Sequence, residues 1–205
     1  MSGEASHVLG AADGSSKWIT SPEARADGHR LRAECGAVMV GSGTQQADDP
    51  QLAVRDAEVT RQPLRIVVDS NARTPASARV LDDAAPTVIA VADDAHAAYL
   101  EGRAEVVRLP RVDAGLDLEL LLKALSERGV RAILLEGGPT LAGSFLAAGL
   151  IDRVVAYIAP VLIGGGGKPA LAGPGALNIA DAKRFQLEDV VRIGPDVRRM
   201  AKPLR

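Results

Sequence analysis

Residues 134–146, LLEGGPTLAGSFL, decide how this chain reads. The apolar run Ala132, Ile133, Leu134, Leu135 stops at a single carboxylate, Glu136. Gly137, Gly138, Pro139 and Thr140 follow, and then apolar residues at helical spacing. A buried strand that turns directly into a helix is a unit of an α/β fold with a parallel sheet. In such sheets ligands sit at the carboxyl ends of the strands. A helix starting there turns its first backbone N–H groups, and the positive end of its dipole, toward the cleft. Gly137 and Gly138 let a ligand approach the backbone, and Pro139 has no N–H to lose at the helix start. The stretch can therefore cradle a pyrophosphate, with Glu136 facing a neighbouring substrate. The same letters also serve a plain strand-to-helix turn with a solvated carboxylate, and the stretch alone does not choose. It is neither the Gly-x-Gly-x-x-Gly dinucleotide fingerprint nor a P-loop, and it comes late in the chain.

Elements of the same kind lie on either side. Residues 21–35 read as a helix with Ser21 as N-cap, Pro22 in the first turn and Glu23 at the positive end of the dipole. Apolar runs at 37–43, 64–70, 87–92 and 105–110 read as strands. The first of them ends in Gly41-Ser42-Gly43, read as a loop that leads into the polar, turn-rich stretch 44–55. Residues 116–129, LDLELLLKALSERG, make an amphipathic helix closed by Gly129. Residues 130–137 read as a strand, 139–149 as a helix, and 152–164 as a long strand ending in a flexible run of glycines. The C-terminal stretch reads as two strands joined at Gly194-Pro195-Asp196. The expected fold is α/β, a mostly parallel central sheet flanked by helices, with antiparallel strands added at the C-terminal edge. There is no internal repeat or long linker, so one domain over 1–205 is expected.

Composition excludes several functions. The chain has 205 residues, 47% hydrophobic and 24% charged, with a formal net charge of -2. It has no general attraction for nucleic acid or anionic membranes. Aromatics are 2% of residues, too few for base-stacking surfaces. Cys35 is the only cysteine and reads as a half-buried structural thiol. His7, His29 and His96 are scattered, so no metal site is expected. No apolar run approaches the ~20 residues of a membrane span. The start, MSGEASHV, shows no secretory signal, and a cytoplasmic location is expected.

Three further stretches point toward the strand ends. GSSKWIT, residues 14–20, holds the only tryptophan among small polar neighbours, which suits an exposed stacking role as well as a packed one. VGSGTQQADDPQLAVR carries Thr44, Asp48, Asp49 and Arg55 after a strand, although paired acids before proline also mark a simple turn. IVVDSNAR puts Ser70 and Arg73 after another strand, where a hydroxyl and a guanidinium can hold a phosphate monoester.

KWITSPEAR, GSGTQQADDPQLAVR, LRIVVDS, LLEGGPTLAGSFL and IDRVVAYIAPVLIGG occur in that order. Together they resemble the reductase domain of the bifunctional riboflavin-biosynthesis deaminase-reductase, over residues 11–198. The resemblance implies a dihydrofolate-reductase-like fold and NADPH-dependent reduction of 5-amino-6-(5-phosphoribosylamino)uracil at the ribosyl C1′. It also implies a homodimer with no nucleic-acid or membrane partner. By motif position, Trp18 and Thr44 would touch the nicotinamide nucleotide and Asp48 its ribose or the nearby loop. Ser70 would lie by the adenosine phosphate. Gly138, Pro139, Thr140, Leu141, Ala142, Gly143 and Ser144 would line the pyrophosphate. Ser16, Arg32, Leu52, Arg55 and Glu136 would hold the substrate, the two arginines suiting its 5-phosphate. No residue stands out as a catalytic acid, which leaves water as the proton source.

The deaminase signature, His-x-Glu with Pro-Cys-x-x-Cys, is absent from this sequence, so no deaminase domain is expected in it. The family opens on a strand with a Lys-x-Ala-x-Ser-x-Asp-Gly pattern before the tryptophan segment. Here that place reads MSGEASHVLGAADG, an atypical or truncated N-terminus. Two alternatives therefore stand beside the reductase reading. One is a related reductase acting on another substrate. The other is a nucleotide-binding relic with impaired turnover.

Overall fold

The computed structural model describes residues 8–10, 18–55, 59–113, 115–136, 138–164, 166–173 and 175–204. A short strand β1 (Val8–Gly10) precedes helix α1 (Pro22–Cys35). Helix α1 begins where its cap signals put it, with Ser21 Oγ accepting the amide of Ala24 at 3.2 Å. Residues then group into two units, Gly28–Leu141 and Met1–Asp27 with Ala142–Arg205.

The Gly28–Leu141 unit holds β2 (Ala37–Gly41), α2 (Ser42–Asp48), β3 (Leu64–Val68), β4 (Thr87–Ala92) and β5 (Glu105–Leu109). A small hairpin, β6 (Arg111–Val112) and β7 (Gly115–Leu116), leads into α3 (Leu118–Glu127). Strand β8 (Leu134–Leu135) and the start of α4 (Pro139–Ala147) complete it. Among the described residues the sheet order is β5-β4-β3-β2-β8, and every pairing is parallel. Strands β2 to β5 are laid down outward one after another. The chain then returns and adds β8 on the opposite side of β2. The strand order reverses at that point, which is where open parallel sheets form a crevice at their carboxyl ends.

The apolar runs explain the core. Every residue of β4 is buried, as expected of a strand covered on both faces. Val38, Val40, Val67, Ile89 and Val91 pack with Leu52, Val80 and Leu100 in one cluster. Asp117 caps α3 by accepting the amide of Leu120 at 3.0 Å, and the helix buries Leu121 and Leu125. Each such leucine contributes about 1.5–3 kcal/mol.

One cation lies inside this unit. Arg65, in β3, is 0% exposed. Its Nε donates to Thr87 Oγ1 at 2.9 Å and its Nη1 to Asp82 Oδ1 at 2.6 Å. The carbonyls of Gln51, Asp82 and Ala85 accept the rest. Partial burial pushes the Asp82 carboxyl up, but hydrogen bonds from Arg65 and Gln51 outweigh that and hold it below the usual carboxylate range.

The second unit contains a three-stranded antiparallel sheet ordered β11-β12-β9, from β9 (Val154–Ile158), β11 (Phe185–Ile193) and β12 (Asp196–Pro203). Strand β1 pairs with β10 (Lys168–Pro169). Arg198, in β12, donates to Asp27 at 2.9 Å and to Asp189 at 3.0 Å, and Tyr157 Oη donates to Asp27 at 2.6 Å.

Three boundaries differ from the sequence reading. Residues 42–48, read as loop, form helix α2, which stops where Asp49 takes a left-handed conformation (φ 39°). The strand expected over 130–137 shrinks to Leu134–Leu135, paired among the described residues with β2 alone. The strand expected over 152–164 ends at Ile158. Pro160, with no N–H to give a ladder, follows two residues later.

Candidate functional site

The reversal between β2 and β8 gathers much of the candidate set. The amide of Glu136 donates to the Met39 carbonyl at 2.8 Å, extending the β2–β8 ladder one residue beyond β8. That bond fixes Glu136 at the carboxyl edge of the sheet. Arg32, from α1, meets it as a fork: Nε donates to Oε1 at 2.6 Å and Nη2 to Oε2. The side chains are 18% and 27% exposed, so the pair is largely withdrawn from water. Arg32 Nη1 also donates to the Ala53 carbonyl at 3.1 Å.

That carbonyl is presented by an unusual backbone. Leu52 has φ 56° yet is only 2% exposed. A left-handed leucine costs about 1–3 kcal/mol and persists only where its surroundings enforce it. Here Leu52 is held in the core cluster, while the Gln62 side chain bonds both the amide and the carbonyl of Val54 at 2.8 and 3.1 Å. The structure thus joins Arg32 to Glu136 directly and to the residue after Leu52 through the Ala53 carbonyl. Arg55 is exposed, and its amide donates to His29 Nδ1 at 3.4 Å. Burial first, then the charges of Glu34 and Glu136, raise the Cys35 thiol above its ordinary value. Such a thiol is a poor nucleophile.

Two residues past Glu136, Gly138 has φ +83°, a conformation suited to glycine. A Cβ there would lie 3.1 Å from Thr44 Oγ1, so the hydroxyl after β2 faces the bare backbone after β8. Gly41 lies against α4, since a Cβ on it would meet Leu141 Cβ in ordinary contact at 3.5 Å. Helix α4 starts at Pro139, and amides of a first turn have no partner within their own helix. Backbone approach, a hydroxyl and a helix start are what a pyrophosphate needs, so these residues fit a dinucleotide. Asp48 is an exposed residue at the end of α2.

A second cluster lies after β3. Ser70 occupies the turn there, with its Oγ 3.4 Å from where a Cβ on Gly115 would be. Arg73 Nη2 donates to Ser42 Oγ at 2.7 Å, and its side chain is 51% exposed. Asp69 is 0% exposed and accepts from the Thr74 amide and hydroxyl, both at 2.7 Å. Sequence analysis gave this acid no role. A carboxylate closing a fully apolar run was the available signal.

The other unit holds the rest. Trp18 is 70% exposed, with the Arg25 guanidinium 4.3 Å from its ring centroid. It borders an open groove of ≈ 480 Å³ with Thr20, Pro160, Val161 and Asp196. Ala142, Gly143 and Ser144 continue α4. A Cβ on Gly143 would fall 1.7 Å from the Ala172 carbonyl oxygen, so the 166–173 segment rests directly on that helix backbone. Ser16 and Gly137 lie outside the described residues. Among the described residues no group of His, Cys, Asp or Glu is arranged to hold a metal ion. No helix there is long and apolar enough to cross a membrane.

Known proteins resemble this arrangement. The family model of the RibD C-terminal domain matches residues 8–198. The riboflavin biosynthesis protein RibD of Mycobacterium tuberculosis is 43% identical over 190 residues, covering 91% of this chain and 48% of that protein. A 2,5-diamino-6-ribosylamino-4(3H)-pyrimidinone 5′-phosphate reductase of Methanothermobacter thermautotrophicus is 44% identical over 198 residues, covering 92% of this chain and 89% of the relative. The structure of Acinetobacter baumannii RibD superposes with a TM-score of 0.82 at 30% identity, over 96% of this chain and 54% of that one. The chain thus spans about half the length of the RibD proteins it matches (48% and 54%). With its parallel and antiparallel sheets and its matched length, the chain belongs to the RibD C-terminal domain family, the pyrimidine reductases of dihydrofolate-reductase-like fold.

Proposed function

We propose that the chain reduces the ribosyl group of 5-amino-6-(5-phosphoribosylamino)uracil to the ribitylamino product of riboflavin biosynthesis, with NADPH as reductant. The observation that carries this reading is the spacing of Glu136 and Gly138. A paired carboxylate and a side-chain-free backbone stand two residues apart at the point where the strand order reverses. Glu136 would accept bonds from N–H or O–H groups of the substrate, and the Arg32 fork fixes its direction. Arg32 already serves Glu136 and Ala53, so the substrate phosphate falls first to the exposed Arg55. Thr44 and the Gly138–α4 segment would hold the pyrophosphate. Ser70 and Arg73 would hold the phosphate monoester that distinguishes NADPH from NADH. When bound, NADPH supplies a hydride to C1′. The chain's part is to hold the two reactants in contact and to keep charged groups where they bind.

The name of the Methanothermobacter thermautotrophicus relative supports a second substrate, 2,5-diamino-6-ribosylamino-4(3H)-pyrimidinone 5′-phosphate, since that protein is 44% identical and matched over 89% of its length. Oxidation of NADPH measured with each pyrimidine in turn separates the two. The faster one is the substrate, and no oxidation with either, by protein shown to be folded, refutes the reductase reading. The same reading makes the working form a cytoplasmic homodimer. Exposed Val161, Leu162, Leu177 and Ile179 supply apolar surface for association, and sedimentation of the purified chain tests it.

A further inference from the structure

The carboxylate of Asp69 is more than the turn after β3 requires. It is 0% exposed, and its backbone N–H donates to Ala90 O at 2.8 Å, so it is held at the end of the sheet. One oxygen, Oδ2, closes the loop by accepting the Thr74 amide and hydroxyl, both at 2.7 Å. An asparagine or serine could do that with no charge. The other oxygen, Oδ1, is buried and makes no hydrogen bond. A buried carboxylate is costly unless something compensates its charge. Among the described residues, the cation in reach is Arg73, its Nε 3.9 Å from Oδ1.

Arg73 is thus held by two groups along its Nε–Nη2 edge. Asp69 lies beneath its Nε, and Ser42 Oγ accepts from its Nη2 at 2.7 Å. Half of the side chain remains exposed (51%). The connecting loop is tethered by Tyr99. Ala72 sits at φ 51°, and Tyr99 Oη lies 2.6 and 2.7 Å from the carbonyls of Ala72 and Thr74. Burial first, and then the charge of Asp69, raise the Tyr99 phenol, as expected for a carboxylate whose field is poorly screened. An arginine held along its Nε–Nη2 edge, with half of its side chain open, is partly preorganised for a phosphate and loses less freedom on binding.

We infer that Asp69 and Ser42 are positioning residues for cofactor choice, holding the Arg73 guanidinium where it reads a phosphate monoester. This rests on the NADPH reading above. Asp69 touches no ligand and acts through Arg73.

The test is the ratio of dissociation constants for NADH and NADPH, measured by nicotinamide fluorescence on the full chain. Wild-type protein should prefer NADPH. Arg73→Ala should lower that preference about tenfold or more, as expected for loss of a charge-assisted bond. Asp69→Asn keeps an acceptor for Thr74 and removes the charge under Arg73; it should lower the preference about threefold to tenfold. In the Arg73→Ala background, Asp69→Asn should change nothing further. A purely structural role would weaken both cofactors alike and leave the ratio unmoved. An unchanged ratio in Asp69→Asn, or an equal drop with and without Arg73, overturns the inference while leaving the NADPH reading intact. No binding of NADPH by the folded wild-type chain sinks both. Should Asp69→Asn fail to fold, Ser42→Ala removes the other grip. It should also lower the ratio, and an unchanged ratio there overturns the positioning of Arg73.

Discussion

Replacing Gly138 by alanine isolates what the bare backbone after β8 contributes. Gly138 sits at φ +83°, where an L-residue costs about 1–2 kcal/mol. The new Cβ would also stand 3.1 Å from Thr44 Oγ1, closer than ordinary van der Waals contact. That crowding adds about 1 kcal/mol unless the hydroxyl gives way. The expected loss is therefore about 2–3 kcal/mol, which for a chain of this size is a fall of about 4–12 °C in Tm. Circular dichroism during heating reads it directly. In a Thr44→Ala background the crowding disappears, and about 1–2 kcal/mol should remain. Cofactor binding supplies the second arm. A methyl at Gly138 stands where a pyrophosphate would approach the backbone, so NADPH affinity should fall about tenfold or more. A Gly138→Ala protein within about 0.5 kcal/mol of wild type would refute the conformational argument, because that is the range of neutral surface changes. Unchanged NADPH affinity in a destabilised variant would refute the cradle alone.

Other consequences can be measured alongside. Glu136→Gln breaks a part-buried fork, between exposed pairs worth about 0–1 kcal/mol and buried ones whose breakage costs about 3–5, so the urea midpoint should report a loss of about 1–3 kcal/mol. An unmoved midpoint would mean that Arg32 finds equal partners without it. Arg65→Met strands Asp82 and the carbonyls of Gln51 and Ala85; it should cost at least about 3 kcal/mol or abolish soluble expression. Arg65→Lys should not restore it, since an ammonium cannot reproduce the planar fork. Asp82 is held below its usual value, so the stability it contributes is complete above the ordinary carboxylate pKa. That contribution is lost as pH falls through the lowered folded-state value. Asp82→Asn should therefore flatten the acid side of a stability–pH curve below about pH 4, and an unaltered curve would refute the assignment.

Much of the fold was legible in the chain. Apolar runs at β2 to β5, the capped start of α1 and the paired C-terminal strands are local patterns, and local sterics and hydrogen bonding decide them. Helix α2 was not, because Gly41, Ser42 and Gly43 signal a loop, while what holds residues 42–48 helical includes burial of Ser42 and Gln45. Trp18 lies exposed under Arg25, one of the two possibilities its polar neighbours left open. Sequence analysis gave Arg65 no role. Its role depends on Asp82 and Thr87, which come 17 and 22 residues later.

By itself the sequence determined the kinds and order of most elements, and the residue types available at each strand end, because 3.6 and 2.0 periodicities and cap chemistry act over a few residues. Only the tertiary structure decided which strand ends are neighbours. Arg32 and Glu136 lie 104 positions apart and form one charged fork because β8 returns to the open side of β2. The same placement sets Thr44 against Gly138. Strand order is fixed by burial and pairing summed over the whole sheet, and no single stretch carries it.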